Sequence, residues 1–455
     1  MTKNLLLLFI PVICIVSGCA TYSQKVEQVQ QKLAQGKYED ALKSLDKVKS
    51  DRSKLLYLME KGTLLHYAGR YEESNDVFDQ AEILAEDLYT KSISREAGAL
   101  FTSDNLLPYN GEKYERVFIH YYRAFNYIQL KLPESALVEC RKVSLLLQKY
   151  NDESEGRSTA YSDDAFMQYL TGVIFEWQGE LNDAFISYRK AEEAYEKYYN
   201  AYNIPPPSSL KNELLKLSKT LGFTEEYDYY LRKYNLSPEN SPDENDSELV
   251  LIYENGFAPR KGSDELLIPL LKSDKLSEKT NVVSYSGELR QRVNRHYDDV
   301  DLEYMLRASM PKYVSNRPNT SYMKLQADNI QMTSETVQDI ESIAFKNFDE
   351  RLPAILLKTI ARGVTKYLTF RTAKKKQGEG LGLLVNIVNI ATESADTRSW
   401  LSLPNNLQMV RMPMPSGKYS LQLSFYDKNG NQLNVVTIPD VEVKNVTLFR
   451  YRTFD

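Results

Sequence analysis

Gly172-Val-Ile-Phe-Glu-Trp-Gln-Gly179-Glu-Leu181-Asn-Asp-Ala184-Phe-Ile-Ser-Tyr188-Arg-Lys-Ala191 is the stretch that decides the fold. Its Gly172, Gly179, Leu181, Ala184, Tyr188 and Ala191 recur at identical spacing as Gly62, Gly69, Tyr71, Ser74, Phe78 and Ala81. Val29, Gly36, Tyr38, Ala41, Leu45 and Val48 keep the same frame, and Ala124, Lys131, Pro133, Ala136, Cys140 and Val143 keep it more loosely. In each frame apolar residues repeat at helical spacing on both sides of a short turn, which predicts a pair of helices. Such patterns dominate the chain from residue 26 to about 235.

These offsets resemble tetratricopeptide repeats, which place small residues at close helix contacts, a turn glycine between helices and large apolar residues in a stacked core. The frames start 33, 62 and 48 residues apart, against about 34 in a strict array. Insertions therefore interrupt the array, notably Glu86 to Lys113 and Lys149 to Ser162. A further pair, Ser208 to Thr220 and Thr224 to Tyr234 around Gly222, follows Pro205-Pro206-Pro207 and is placed to cap the stack. Cys140 falls at an inward offset and reads as a small buried hydrophobe.

Tyrosine is the unusual number in the composition, 33 in 455 residues. It concentrates in this half, at Tyr121-Tyr122, Tyr195, Tyr198-Tyr199, Tyr202 and Tyr227 to Tyr234. A solenoid offers a concave surface, where Tyr198, Tyr199 and Tyr202 are candidate recognition contacts. The alternative is packing between helices with the hydroxyl at the surface.

Leu236 to Ser247 is acidic, carries two prolines and lacks large apolar residues after Leu236, so it reads as a linker. Beyond it Glu248 to Tyr253 is an apolar run that predicts a buried strand, with further short strands at Glu265 to Leu271 and Asn281 to Ser284. Between Thr333 and Lys374 the period returns to helix, with one stripe through Val337, Ile340, Ile343, Ala344 and Phe348 and a second from Leu352 to Leu368. The last fifty residues alternate as strands: Tyr419, Leu421, Leu423 and Phe425 precede the hairpin signal Asp427-Lys-Asn-Gly430, and Leu433 to Ile438 and Asn445 to Arg452 follow.

The N-terminus places Lys3 before an apolar run from Leu5 to Val16, too short to span a bilayer of about 30 Å and suited to an export signal. Val16-Ser17-Gly18-Cys19 resembles the lipobox of bacterial lipoproteins, which implies that Cys19 becomes the acylated first residue and that Cys14 leaves with the signal. Cys140 is then the single remaining thiol, and no disulfide forms within the chain. Ala20, where the enterobacterial rule uses Asp for inner-membrane retention, implies the outer membrane with the protein facing the periplasm.

The net charge of −5 argues against nucleic-acid binding. His66, His120 and His296 lie far apart without a ligand motif, so no metal site, cofactor or catalytic residue is proposed from sequence. Gly378-Glu-Gly380-Leu-Gly382 lacks the preceding strand and the Gly-Lys-Ser/Thr of a nucleotide loop and reads as a turn. Asp396-Thr-Arg398-Ser-Trp400 is the most distinctive polar cluster. One reading makes Arg398 a clamp for a carboxylate or phosphate with Trp400 stacked beside it. The other makes Asp396 a helix N-cap whose pairing with Arg398 fixes a loop between helix and sheet.

The resulting division is a signal peptide over 1–18, a tetratricopeptide-like α-solenoid over 19–235, a linker over 236–247 and a mixed domain over 248–455 with C-terminal strands over 408–453. The fold class is α+β, with a small antiparallel sheet or sandwich in the second half. Together with the lipobox, the pieces Glu254 to Lys261, Ala395 to Trp400 with Leu403-Pro404, and Arg411 to Pro415 resemble a family of proteobacterial lipoproteins with tetratricopeptide-like N-termini and an α/β C-terminal region. That resemblance supplies an address and an architecture and no activity. It points to a lipid-anchored periplasmic adaptor that binds a protein partner in envelope assembly without catalysis. The alternative is a protein that binds or modifies peptidoglycan or another glycan near Arg398 and Trp400.

Overall fold

The computed structural model describes residues 22–95, 104–153, 160–237, 247–271, 283–285, 302–377 and 395–454. Its first half is five helix pairs: α1 (Tyr22–Ala34) with α2 (Tyr38–Asp46), α3 (Lys54–Tyr67) with α4 (Tyr71–Arg95), α5 (Lys113–Gln129) with α6 (Pro133–Glu153), α7 (Ala165–Gln178) with α8 (Leu181–Tyr202), and α9 (Ser208–Thr220) with α10 (Thr224–Lys233). The repeat frame does the work its residue types allow. Gly179 ends α7 in the left-handed region at φ 81°, where a glycine carries no Cβ penalty, and Lys131 holds the equivalent turn at φ 60°. A Cβ built at Gly172 would lie 2.5 Å from the Tyr188 ring, and one at Gly62 would lie 2.7 Å from Phe78. Two helices of a pair therefore close only because those positions are glycine.

The second half supplies two face-to-face sheets. After β1 (Glu248–Asn255), β2 (Arg260–Leu271), β3 (Val283–Tyr285), β4 (Leu302–Val314), β5 (Tyr322–Ala327), β6 (Ile330–Thr333) and β7 (Glu335–Asp339) comes α11 (Ile340–Gln377). Then follow β8 (Asn406–Pro413), β9 (Gly417–Tyr426), β10 (Gln432–Val443) and β11 (Val446–Arg452). One sheet has the order β11-β1-β8-β7 and the other β10-β9-β5-β6. The β1–β11 pair is parallel, Leu249 opposite Thr447, while β1–β8 is antiparallel, Leu249 opposite Met412. Leu249, Leu251, Tyr253, Val410 and Met412 meet Met323, Leu325, Leu421, Leu423 and Phe425 in the sandwich core. From the opposite face of the first sheet, Val250, Ile252, Val337, Leu407 and Met409 join the core of the helical half. Burial on both faces is why Leu249-Val-Leu-Ile252 is a continuous apolar run and not an alternating one. A third sheet, β3-β2-β4, packs its β4 against α11. The chain is an α+β protein with a tetratricopeptide-like helical first half.

The stretch from Thr333 departs from the expected pair of helices. Residues 335–339 form the edge strand β7, paired with β8, and a single 38-residue helix follows, with Pro353 inside it. The switch sits at Asp339, whose carboxylate accepts hydrogen bonds from Ser342 N at 2.9 Å and Ser342 Oγ at 2.8 Å and caps the first turn. The hairpin at Asp427 forms as read: Asp427 accepts from Asn429 N and Asn431 N, and Gly430 takes φ 84°. The signal and lipobox with Cys14 and Cys19, most of the linker, and the turn at 378–382 with the apolar run after it lie outside the described residues.

Candidate functional site

The inner face of the solenoid, lined by α1, α3, α5, α7 and α9, is covered by the second half of the same chain. Residues 395–405 form an irregular strap across it. Each polar backbone group of a strap in a dry groove needs a partner, and the inner helices supply them. Gln30 Nε2 donates to Leu401 O at 2.7 Å, Leu401 N donates to Glu60 Oε1 at 2.8 Å, and Trp400 N donates to Glu115 Oε1 at 2.7 Å. The Trp400 indole N–H donates to Thr63 Oγ1 at 3.2 Å and Ser402 Oγ at 3.0 Å, and its ring packs among Phe78 and Tyr122. Burial pushes Glu60 up to about 7, against the hydrogen bonds it accepts, and burial likewise raises Glu115.

Arg398 is a clamp, but its clients are internal. It donates to Arg52 O at 2.7 Å and Asp104 O at 3.1 Å, and pairs with Asp396 at 2.7 Å. Asp396 also accepts from Arg398 N at 3.1 Å, so the pair fixes the strap, and Asp396 caps no helix among the described residues. Trp400 is 1% exposed and Arg398 7%, which leaves neither free to meet a ligand in this arrangement. The candidate tyrosines do not join them. Along α8, Tyr198 turns inward and is fully buried, Tyr202 packs edge-on to it at 5.1 Å, and Tyr199, one position on, points outward at 56% exposure. Helical geometry keeps Tyr198 and Tyr202, four residues apart, on one face and turns Tyr199 away from both, because adjacent residues differ by about 100° around the axis. Most tyrosines of the helical half, among them Tyr114, Tyr121, Tyr122, Tyr169, Tyr188 and Tyr195, are core packing.

Two buried ionic clusters extend the junction. Glu254 at the end of β1 accepts from Tyr67 Oη at 2.9 Å, Tyr121 Oη at 2.8 Å and Arg450 Nη1 at 2.8 Å. Arg452 beside it donates to Tyr67 Oη, Gly256 O and Ser402 O. At the other end, Arg411 of β8 lies among three carboxylates, Glu176 of α7, Glu213 of α9 and Glu248 of β1, none more than 7% exposed. Its Nε donates to Glu248 at 2.7 Å and its Nη1 to Tyr188 Oη at 2.7 Å and Tyr169 Oη at 3.2 Å. Burial pushes Glu213 up to about 8, past the opposing pull of Arg411. Burial acts the same way on Glu176, but there Arg411 and Lys216 outweigh it and hold the carboxyl below its ordinary value.

A cleft of about 150 Å³ adjoins this cluster, lined by Ser209, Asn212, Glu213, Lys216, Glu248 and Arg411 among others. The three carboxylates approach within 4.8 Å of one another, as do Glu82, His120 and Glu139 on the helices. In both groups an arginine already supplies the positive charge: Arg411 in the first, and in the second Arg123, 3.2 Å from Glu139. In the sequence these residues are marked by a charge set inside an apolar run, Arg411 within Met409 to Met412 and Glu60 within Leu55 to Leu65.

No family model and no curated protein matches the chain. Among solved structures it is similar to MamA at 15% identity over 45% of this chain and 91% of that one, with a TM-score of 0.29. It is also similar to a kinesin light chain-like protein of Podosopora anserina with nearly identical TPR-like repeats, at 13% identity over 46% and 92% of the two chains and a TM-score of 0.29. BtubC (BKLC) from P. vanneervenii shares 14% identity over 51% and 84%, with a TM-score of 0.32.

Proposed function

We propose that this chain is a lipid-anchored adaptor of a proteobacterial envelope, held through Cys19 at the outer membrane, facing the periplasm, and binding a protein partner without catalysis of its own. The lipobox and Ala20 support the address. The observation that carries the adaptor reading is the welding of helical array and sandwich into one body through the strap and the buried ionic clusters. Such a body keeps its inner face for itself and offers partners the outer helices.

There, Ile83 of α4 and Leu145 of α6, each 64% exposed, stand at the same repeat offset. Cross-helix ion pairs flank them, Lys142 to Glu82 at 2.9 Å and Lys149 to Glu86 at 2.5 Å. An apolar pair rimmed by charge suits the centre of a contact between proteins. Photo-crosslinking from Ile83 and Leu145 in intact envelopes should capture a discrete partner, and Ile83→Asp with Leu145→Asp should abolish capture without changing the melting temperature. Capture that survives both substitutions, or no capture from either position, contradicts this placement of the partner surface.

A further inference from the structure

Cys19 and Tyr22 are three residues apart, so the Cα of the acylated residue and the first turn of α1 can be separated by at most about 11 Å of extended chain. Tyr22 is itself buried in the helical core, with 9% exposure, so no slack is gained by unwinding α1 without cost. An acylated cysteine sits at the base of the headgroup layer, a layer of roughly 5–7 Å per leaflet. The start of the solenoid is then held at the bilayer surface and not on a long tether.

What stands at that end of the body is basic. Ser23 Oγ donates to Thr397 O at 3.5 Å, and the next residue, Arg398, donates to Arg52 O, so the start of α1 and the connection between α2 and α3 lie side by side. That connection reads Lys47-Val-Lys49-Ser-Asp51-Arg52-Ser-Lys54, four cations against one carboxylate in a chain whose net charge is −5. Lys47, Lys49, Arg52 and Lys54 are all exposed. Asp46, the neighbouring acid, accepts from the Tyr57 hydroxyl at 2.7 Å, and with it residues 46–54 still carry four cations against two carboxylates.

We infer that the 47–54 connection is a second membrane contact, docking on anionic phospholipid headgroups beside the acyl anchor and fixing the orientation of the solenoid on the bilayer. The inference rests on the lipid-anchor reading of Cys19. Chain reach holds the start of α1, beside which the loop lies, close to the headgroups, and docking puts the loop's cations within the Debye length, roughly 8 Å, over which surface charge attracts lysine and arginine. Each such cation near an anionic surface raises affinity about fivefold. The acyl chains hold the protein at the membrane, and the loop decides which end faces it.

The test uses the full lipidated protein reconstituted into phosphatidylglycerol-containing vesicles that carry a headgroup-attached quencher. Cys140 is buried, so a fluorophore can be placed at Ser50→Cys or, as the control, at Gln35→Cys. Gln35 follows the far end of α1, and that helix of 13 residues is about 20 Å long. Ser50 should be quenched several-fold more than Gln35, and Lys47→Glu with Lys49→Glu and Lys54→Glu should remove the difference while the protein still sediments with the vesicles. Equal quenching at the two positions, or a difference that survives the charge reversals, overturns the loop contact and leaves the anchor standing. Protein that does not sediment with vesicles at all overturns the anchor, and the inference with it.

Discussion

Replacing Arg411 by methionine removes the guanidinium that, among the described residues, pairs with Glu176, Glu213 and Glu248. All three carboxylates are nearly inaccessible, and the remaining cation, Lys216, is 3.7 Å from Glu176 and from Glu213. Breaking a buried ion pair from one side costs about 3–5 kcal/mol, because the partner charge stays behind in a dry site. Against a total stability of about 5–15 kcal/mol, and at roughly 2–4 °C per kcal/mol for large domains, the melting temperature should fall by about 10 °C at pH 7.5. The loss should depend on pH. Without Arg411 the burial that raises Glu213 loses its main opposing charge, and Glu176 loses the charge that chiefly holds it down, so the folded variant takes up protons as pH falls and the penalty shrinks. Thermal melts of both proteins at pH 7.5 and 5.5 should show the gap narrowing at the lower pH. A variant as stable as the wild type at pH 7.5, or a gap equal at both values, refutes the assignment of this cluster as the weld between α7, α9 and the sheet.

Glu60 and Glu213, pushed by burial to about 7 and about 8 from 4.5, stay protonated in the fold where the unfolded chain has lost its proton. Their contribution is present below pH 4.5 and is lost as pH rises through 7–8, so Glu60→Gln, which keeps an acceptor for Leu401 N, should flatten the pH dependence of the melting temperature over that window. Gly172→Ala should destabilise by about 1–3 kcal/mol through overlap with Tyr188, and in a double-mutant cycle the same change should cost less in a Tyr188→Leu background, which itself loses the hydrogen bond from Arg411. Lys131→Gly, which relieves a left-handed non-glycine residue, should stabilise by up to about 1 kcal/mol in urea unfolding.

The repeat half was legible because its frame is chemical: Gly172 against Tyr188 and Gly62 against Phe78 are close contacts that leave a fixed interval in the sequence. Strands β4 to β7 were not, for reasons their residues show. Strand β4 carries Arg307 and Pro311, and β7 is a polar edge whose one apolar anchor, Val337, stands three residues before Ile340 and so mimics the helical period of the segment after it. The Asp396-Arg398-Trp400 cluster stood out by composition, yet its role depended on groups some 300 residues away. Trp400 and Leu401 are held by Glu115 and Glu60, and no local spacing announces that a carboxylate on an inner helix serves a backbone N–H of a distant strap. The tyrosine excess similarly had two readings until α8 showed which side of the helix each ring takes.

Hydrogen exchange at the strap tests the central claim most directly, because the filled inner face rests on the amides of Trp400 and Leu401 donating to Glu115 and Glu60. Those two amides should exchange as slowly as the core amides of α5, in the full-length protein at neutral pH. Exchange at the rate of an open loop would mean that the strap leaves the groove and that the inner face of the solenoid is free for another chain.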